Sequence, residues 1–274
     1  MKKTKRPNIF RRLKNFFTEK QDDSSLSDTV QSVLEHPQGL FPHILAMRGH
    51  LIRIVLYMVI GTSLAFTYST PILEFLARPL PGGMESLQAV DVTEPVGTVM
   101  RVSLLVGFAV SFPLLAMEIW LFFAPGLHGH ERLYTMLAIP IASLFFIFGM
   151  SFAYYFMLPF ALPVLLSFVA GIKTLVRPNS YYPFVVNMLF WIGLFSEFPL
   201  VVLILARLGL VRGRDLLNQW RLAIVIIAVV AAIVTPTTDL ANMGLTMAPM
   251  IFLYFLSIGL AFIAQRSRRD KATA

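Results

Sequence analysis

The chain has 274 residues, of which 57% are hydrophobic, 13% aromatic and only 14% charged. A soluble domain carries about a quarter charged residues, so the composition excludes an ordinary water-soluble globular protein. Cysteine is absent, which excludes disulfides and thiolate metal sites, and the net charge of +8 clusters beside apolar runs, pointing to membrane orientation rather than nucleic-acid binding.

The chain opens on a polar extension. Ile9, Phe10, Leu13, Phe16 and Phe17 recur at helical spacing among lysines and arginines, the pattern of an amphipathic helix lying on a membrane surface. No apolar core follows the basic part, so the segment is not read as a signal peptide, and Arg11 and Arg12 read as anchors for anionic lipid. Residues 21–42 read as a flexible linker.

Six stretches then meet the roughly 20-residue length of a transmembrane helix: about 51–69, 99–123, 133–157, 184–206, 216–234 and 245–264. The fifth is marginal. Its uninterrupted apolar core, Leu222–Val234, reaches only about 20 Å against about 30 Å of hydrocarbon, so it must recruit Leu216, Leu217 and Trp220 or thin the bilayer. Between the first two spans, Thr70–Gly83 offers Thr70 as N-cap, Pro71 at the first helical position and a proline–glycine stop, predicting a short helix on the outer surface. Pro159–Val169 is too short for a seventh span, carries two prolines and is expected to be an interfacial or re-entrant helix. Charge fixes the count. With six spans and the N-terminus inside, 19 of the 23 lysines and arginines fall on the inner side, as the positive-inside rule requires. The expectation is an all-α membrane protein, six transmembrane helices in a curved, concave bundle with an outer cap. Pro113, Pro140, Pro199 and Pro249 would bend the second, third, fourth and sixth spans.

Glu197 lies deep in the fourth span, where an ionisable side chain must face protein or water. Two readings stand beside each other: a working polar group, or a structural bond to Asn187, Ser151 or a carbonyl freed by Pro199. Glu118, near the inner end of the second span, reads as interfacial, and Arg101 as snorkelling to the outer interface. Asp239 reads as an N-cap for the sixth helix. The short fifth span, with the sixth, is the expected docking place of a partner helix: its small and β-branched residues Ala228, Val229, Val230, Ala231 and Ala232 suit close helix approach or, equally, packing against lipid. The five histidines lie outside the span interiors, and no HExxH, GxSxG, P-loop or GxGxxG occurs, so neither an intramembrane enzyme nor a metal or cofactor site is expected.

Read in order, these landmarks resemble one family, the TatC subunit of the twin-arginine protein translocase. The resemblance rests on HILAMRGHLIRI (His43–Ile54), LQAVDVTEPVGTVMRVSL (Leu87–Leu104), FPLLAMEIWLFFAPGLHGHERL (Phe112–Leu133), FGMSFAYYFMLPFALPVLLSF (Phe148–Phe168), GLFSEFPL (Gly193–Leu200) and VTPTTDLANM (Val234–Met243). It covers residues 43–265, leaving 1–42 as an extension and 266–274 as a basic tail. Three positions depart from the pattern: Ala46 and Phe255, where glutamate is usual, and Ser196, where an aromatic is usual.

The resemblance implies a multi-pass subunit of the cytoplasmic membrane, both termini inside, that receives twin-arginine signal peptides of folded proteins. It implies single-span TatA/TatB-type partners in a hetero-oligomer of several copies, driven by the proton motive force and without cofactor, metal or nucleic acid. Glu131, with Arg132 beside it and Arg48 at the entry to the first span, is the expected leader-binding group, since paired guanidiniums need fixed carboxylates. With no acid at position 46, the chain either binds such leaders more loosely or supplies another acid, Asp28 or Glu35, from its extension. Glu94 and Pro95 mark the outer loop, Glu197 and Pro199 the intramembrane polar contact, and Thr235, Pro236 and Asp239 the turn between spans five and six. The alternative is a proton- or ion-coupled secondary transporter using Glu197, whose inverted repeats are not seen in the sequence.

Overall fold

The structure, a computed structural model, describes residues 40–123, 129–166, 175–234 and 240–272, with side chains over 47–122, 136–166, 175–234 and 243–265. Among the described residues all regular structure is helical. In chain order the helices are α1 (Leu40–Thr67), α2 (Ser69–Ala77), α3 (Glu94–Phe123), α4 (Gly129–Phe152), α5 (Leu158–Leu166), α6 (Pro178–Ser196), α7 (Phe198–Leu208), α8 (Gly213–Asn218), α9 (Trp220–Val234) and α10 (Leu240–Ala272). Five helical paths are long and apolar enough to cross a membrane: Met47–Thr67, Glu94–Phe122, Met136–Leu166, Pro178–Leu208 and Met243–Gln265. Helix α9 is a shorter apolar sixth. Leu51, Ile52, Val55, Leu56 and Val59 of α1 are exposed, which in water would be costly and in hydrocarbon is the natural state.

The boundaries refine the sequence reading in physical ways. The third span does not stop at residue 157. It continues through a π-helical turn, Ala153–Met157, into α5, so Pro159 and Pro163 lie on one continuous path rather than in a separate re-entrant helix. The widened turn sits directly before Pro159, whose ring cannot share a standard turn with the carbonyl four residues back. The fourth span is interrupted at Glu197, with Pro199 in the first turn of α7. Pro113, Pro140 and Pro249 lie inside continuous helices instead. The fifth span begins at Trp220, because Leu216 and Leu217 belong to the separate helix α8. A short helix, α2, forms between the first two spans, but it starts at Ser69 behind Tyr68, which makes no capping bond; Thr70 lies inside it.

The chain divides into two compact units, Met1–Tyr57 with Pro113–Ile141 and Met58–Phe112 with Ala142–Ala274. In the larger unit the core gathers Leu73, Leu76, Val102, Leu158, Tyr182, Met188, Ile192 and Met250. Phe108 meets Phe112, Phe146 and Phe190 edge-on at 5.3–5.8 Å, and Phe112 stacks on Phe146 at 4.3 Å. Three tyrosines close the end of α2: Tyr154 donates its hydroxyl to the Phe75 carbonyl at 2.5 Å, Tyr181 to Leu76 at 2.8 Å and Tyr182 to Leu73 at 3.1 Å. The last carbonyls of a helix lack intrahelical donors; here the Phe75 carbonyl also takes the Arg78 N–H at 3.2 Å, and the tyrosine hydroxyls add side-chain donors around the same end. At the far end of the fourth span Gly209 adopts φ 81°, and the Leu210 N–H reaches back to the Leu205 carbonyl at 3.0 Å, a glycine stop that L-side chains disfavour. Ala206 of α7 and Ala261 and Ala264 of α10 are small enough for those helices to pack closely.

Candidate functional site

In the smaller unit, His50, Arg53 and Tyr57 recur at three- and four-residue intervals on α1 and so share one face. That face meets Glu118 of α3. The Arg53 guanidinium grips the carboxylate with two hydrogen bonds, Nε to Oε1 at 2.7 Å and a terminal nitrogen to Oε2 at 2.9 Å. The His50 Nδ1 lies 2.6 Å from Oε2, and the Tyr57 hydroxyl 3.4 Å from Oε1. An approach of 2.6 Å to a carboxylate oxygen requires that Nδ1 carry the proton and donate, since an unprotonated nitrogen would set lone pair against lone pair. The nearby Arg53 nitrogen, 2.8 Å from Nδ1, therefore spends its donors on the carboxylate. Glu118 is 2% exposed, His50 19% and Arg53 44%. A cavity of about 140 Å³ adjoins the carboxylate, walled by Met47, Leu51, Ile54, Ile119 and Phe122. Sequence reasoning placed Glu118 at an interface. The available signal was the pair His50 and Arg53 on one face of an apolar span, because buried charges are found paired.

In the larger unit, Glu197 is buried at the break between α6 and α7, and its Oε1 has no hydrogen-bond partner among the described residues. The expected bonds to Asn187 or Ser151 are not the ones that form. Ser151 donates to the Ile147 carbonyl of its own helix at 2.8 Å, and Asn187 lines a cavity of about 580 Å³ together with Arg101, Leu104, Phe108 and Phe190. Pro199 is fully buried beside the break. The helices cross tightly here: a Cβ at Gly149 would collide with Ser196, and would lie 3.0 Å from the Gly193 Cα.

The start of α3 also holds a buried acid. Glu94, 5% exposed, is ion-paired with Arg177 and accepts the Val90 N–H at 3.2 Å, so it is a paired, buried group. Pro95 beside it is exposed. Arg101 donates to the Asn179 side chain at 3.1 Å. Asp91 accepts the Thr93 N–H at 3.1 Å, and that backbone bond, with the Thr93 side chain, holds its carboxyl below the usual range.

Of the remaining expected groups, Arg48 lies exposed on α1. Glu131 and Arg132 belong to the first turns of α4, and their side chains fall outside the described set. Thr235, Pro236 and Asp239 lie outside the described residues, with α10 beginning at the next position, Leu240. Asp28 and Glu35 are likewise outside. Among the described residues no cluster of histidine and carboxylate side chains is arranged to hold a metal.

Comparison with known proteins places this arrangement. The family model for the Sec-independent protein translocase protein TatC matches residues 42–249. The TatC of Koribacter versatilis is 31% identical over 235 residues, covering 84% of this chain and 87% of that protein. The TatC of Deinococcus radiodurans is 34% identical over 231 residues, covering 81% and 85%. A crystal structure of the twin arginine translocase receptor TatC superposes with a TM-score of 0.73 at 29% identity, covering 81% of this chain and 99% of that one. A second, in DDM, gives 0.74 at 28% identity, covering 80% and 99%. With this match and its membrane-spanning helices, the chain belongs to the TatC family of Sec-independent protein translocase proteins, integral membrane components of the Tat pathway and not catalytic enzymes.

Proposed function

We propose that this chain is the signal-peptide receptor of its translocase: a cytoplasmic-membrane protein with both termini inside, which binds the twin-arginine leaders of folded proteins and organises their export. The observation that carries the reading is the family match across residues 42–249, together with solved relatives described as twin arginine translocase receptors. Glu131 is the principal acceptor of the paired guanidiniums, with Arg132 and Arg48 shaping the entrance. Single-span TatA/TatB-type subunits complete a hetero-oligomer, and the proton motive force drives transport. Glu197, buried with a carboxylate oxygen unpartnered among the described residues, supplies a polar contact to a partner helix, with Pro199 holding the break open. Glu94 and Pro95 anchor the outer loop, and Thr235, Pro236 and Asp239 set the turn into the last span. The six-span body, residues 43–265, is the working domain, flanked by the surface-lying extension 1–42 and the basic tail 266–274.

The test uses the full chain in nanodiscs with a photo-crosslinking leader peptide. A paired-Arg leader is expected to label the receptor and a paired-Lys version much less. Loss of a charged hydrogen bond is worth about 1.5–3 kcal/mol, so Glu131→Gln should weaken leader binding at least about ten-fold. Equal labelling by both leaders would overturn the reading. Export of a folded reporter in a translocase-deficient strain extends the test to transport.

A further inference from the structure

We propose that Glu118 is a leader-binding carboxylate and that Arg53 occupies it as a resident stand-in until a leader arrives. The inference rests on the receptor reading above and adds a residue to its site. A carboxylate offers about four acceptor positions, and at Glu118 all four are used, by Arg53 twice, by His50 and by Tyr57. An incoming guanidinium must therefore exchange with a group already present. Arg53 is the group that can leave. Its side chain is 44% exposed, against 19% for His50 and 2% for Glu118, and water or lipid headgroups can receive it.

The exchange is chemically matched. One guanidinium replaces another on the same two oxygens, so the buried carboxylate is never left without a cation, the state that makes breaking such pairs costly. His50, donating to Oε2, keeps the carboxylate oriented throughout. The cavity of about 140 Å³ beside Glu118 has room for several water-sized groups, enough to admit a guanidinium. The same helical face continues one turn toward the N-terminus to position 46, an alanine, which brings no carboxylate. Among the described side chains of the smaller unit, Glu118 is the acid available to a cation. An ammonium cannot reproduce the two-pronged contact, so the exchange favours arginine leaders over lysine leaders.

The sign of the test separates this from a purely architectural ion pair. In the full chain in nanodiscs, Arg53→Gln should tighten paired-Arg leader binding about ten-fold, because the competitor is removed while its acceptor stays. A paired-Lys leader should gain much less. Glu118→Gln should weaken the paired-Arg leader and cancel the gain when combined with Arg53→Gln. Arg53→Lys, which keeps one charged contact and protects folding, should give a smaller gain of the same sign. An architectural pair predicts the reverse, weaker or unchanged binding in every Arg53 variant, and that result would overturn the proposal while leaving the receptor reading intact. If the unmodified chain shows no preference for arginine leaders and Glu131→Gln changes nothing, the receptor reading itself has failed.

Discussion

Single positions explain where this chain departs from the pattern it resembles. Ser196 stands where an aromatic is expected, and the reason lies across the helix contact: a Cβ at Gly149 would strike Ser196 and crowd Gly193. An aromatic ring at 196, a site 4% exposed, has nowhere to go. Gly149→Ala should lower thermal stability by about 1–3 kcal/mol, the usual cost of an overpacked contact, and Ser196→Gly in the same chain should recover part of it; thermal unfolding in detergent reads both. A Gly149→Ala protein as stable as the parent would show that the crossing has slack. Residue-level roles were the least legible part of the sequence. Glu197 and Pro199 announced themselves, since an acid in an apolar run is conspicuous. Glu118 did not, because its partners lie 65 and 68 positions away; the pattern of His50 and Arg53 on one face shows that they need an acid without showing which one. The Glu94–Arg177 pair, 83 positions apart, was hidden for the same reason.

Elements were easier to read, because hydropathy and helix period are local. All six apolar runs became helices, and the short outer helix was visible from its proline and glycine punctuation. What hydropathy could not show was continuity. The π-helical turn before Pro159 lets the third span run on to Leu166, where two prolines had argued for a separate piece. The break at Glu197 splits the fourth, where Pro199 was expected only to bend a continuous helix. The tyrosines that finish α2 give a prediction at this scale. Each lost hydroxyl should cost about 0.5–1.5 kcal/mol, so Tyr181→Phe and Tyr182→Phe should each lower stability modestly. The double variant should make the 78–88 segment more susceptible to protease. Unchanged cleavage in the double variant would show that α2 is held by its apolar face alone.

For the molecule as a whole, the fold class and family were legible because topology, charge asymmetry and motif order agree with one another, a consistency that chance seldom produces. The absence of cysteine makes the orientation directly testable. Ser86→Cys should react with a membrane-impermeant maleimide on intact cells, and Gln219→Cys only after permeabilisation; the opposite pattern would invert the receptor. The tyrosine closure of α2 also dictates an order of assembly. The tyrosine hydroxyls that reach the Leu73, Phe75 and Leu76 carbonyls lie 79 to 109 positions further along. During synthesis the tyrosine contacts of α2 cannot be completed until the first turn of α6 has been made. A nascent chain arrested before Tyr181 therefore carries α2 without two of its three tyrosine contacts, ready for quality-control proteases to recognise.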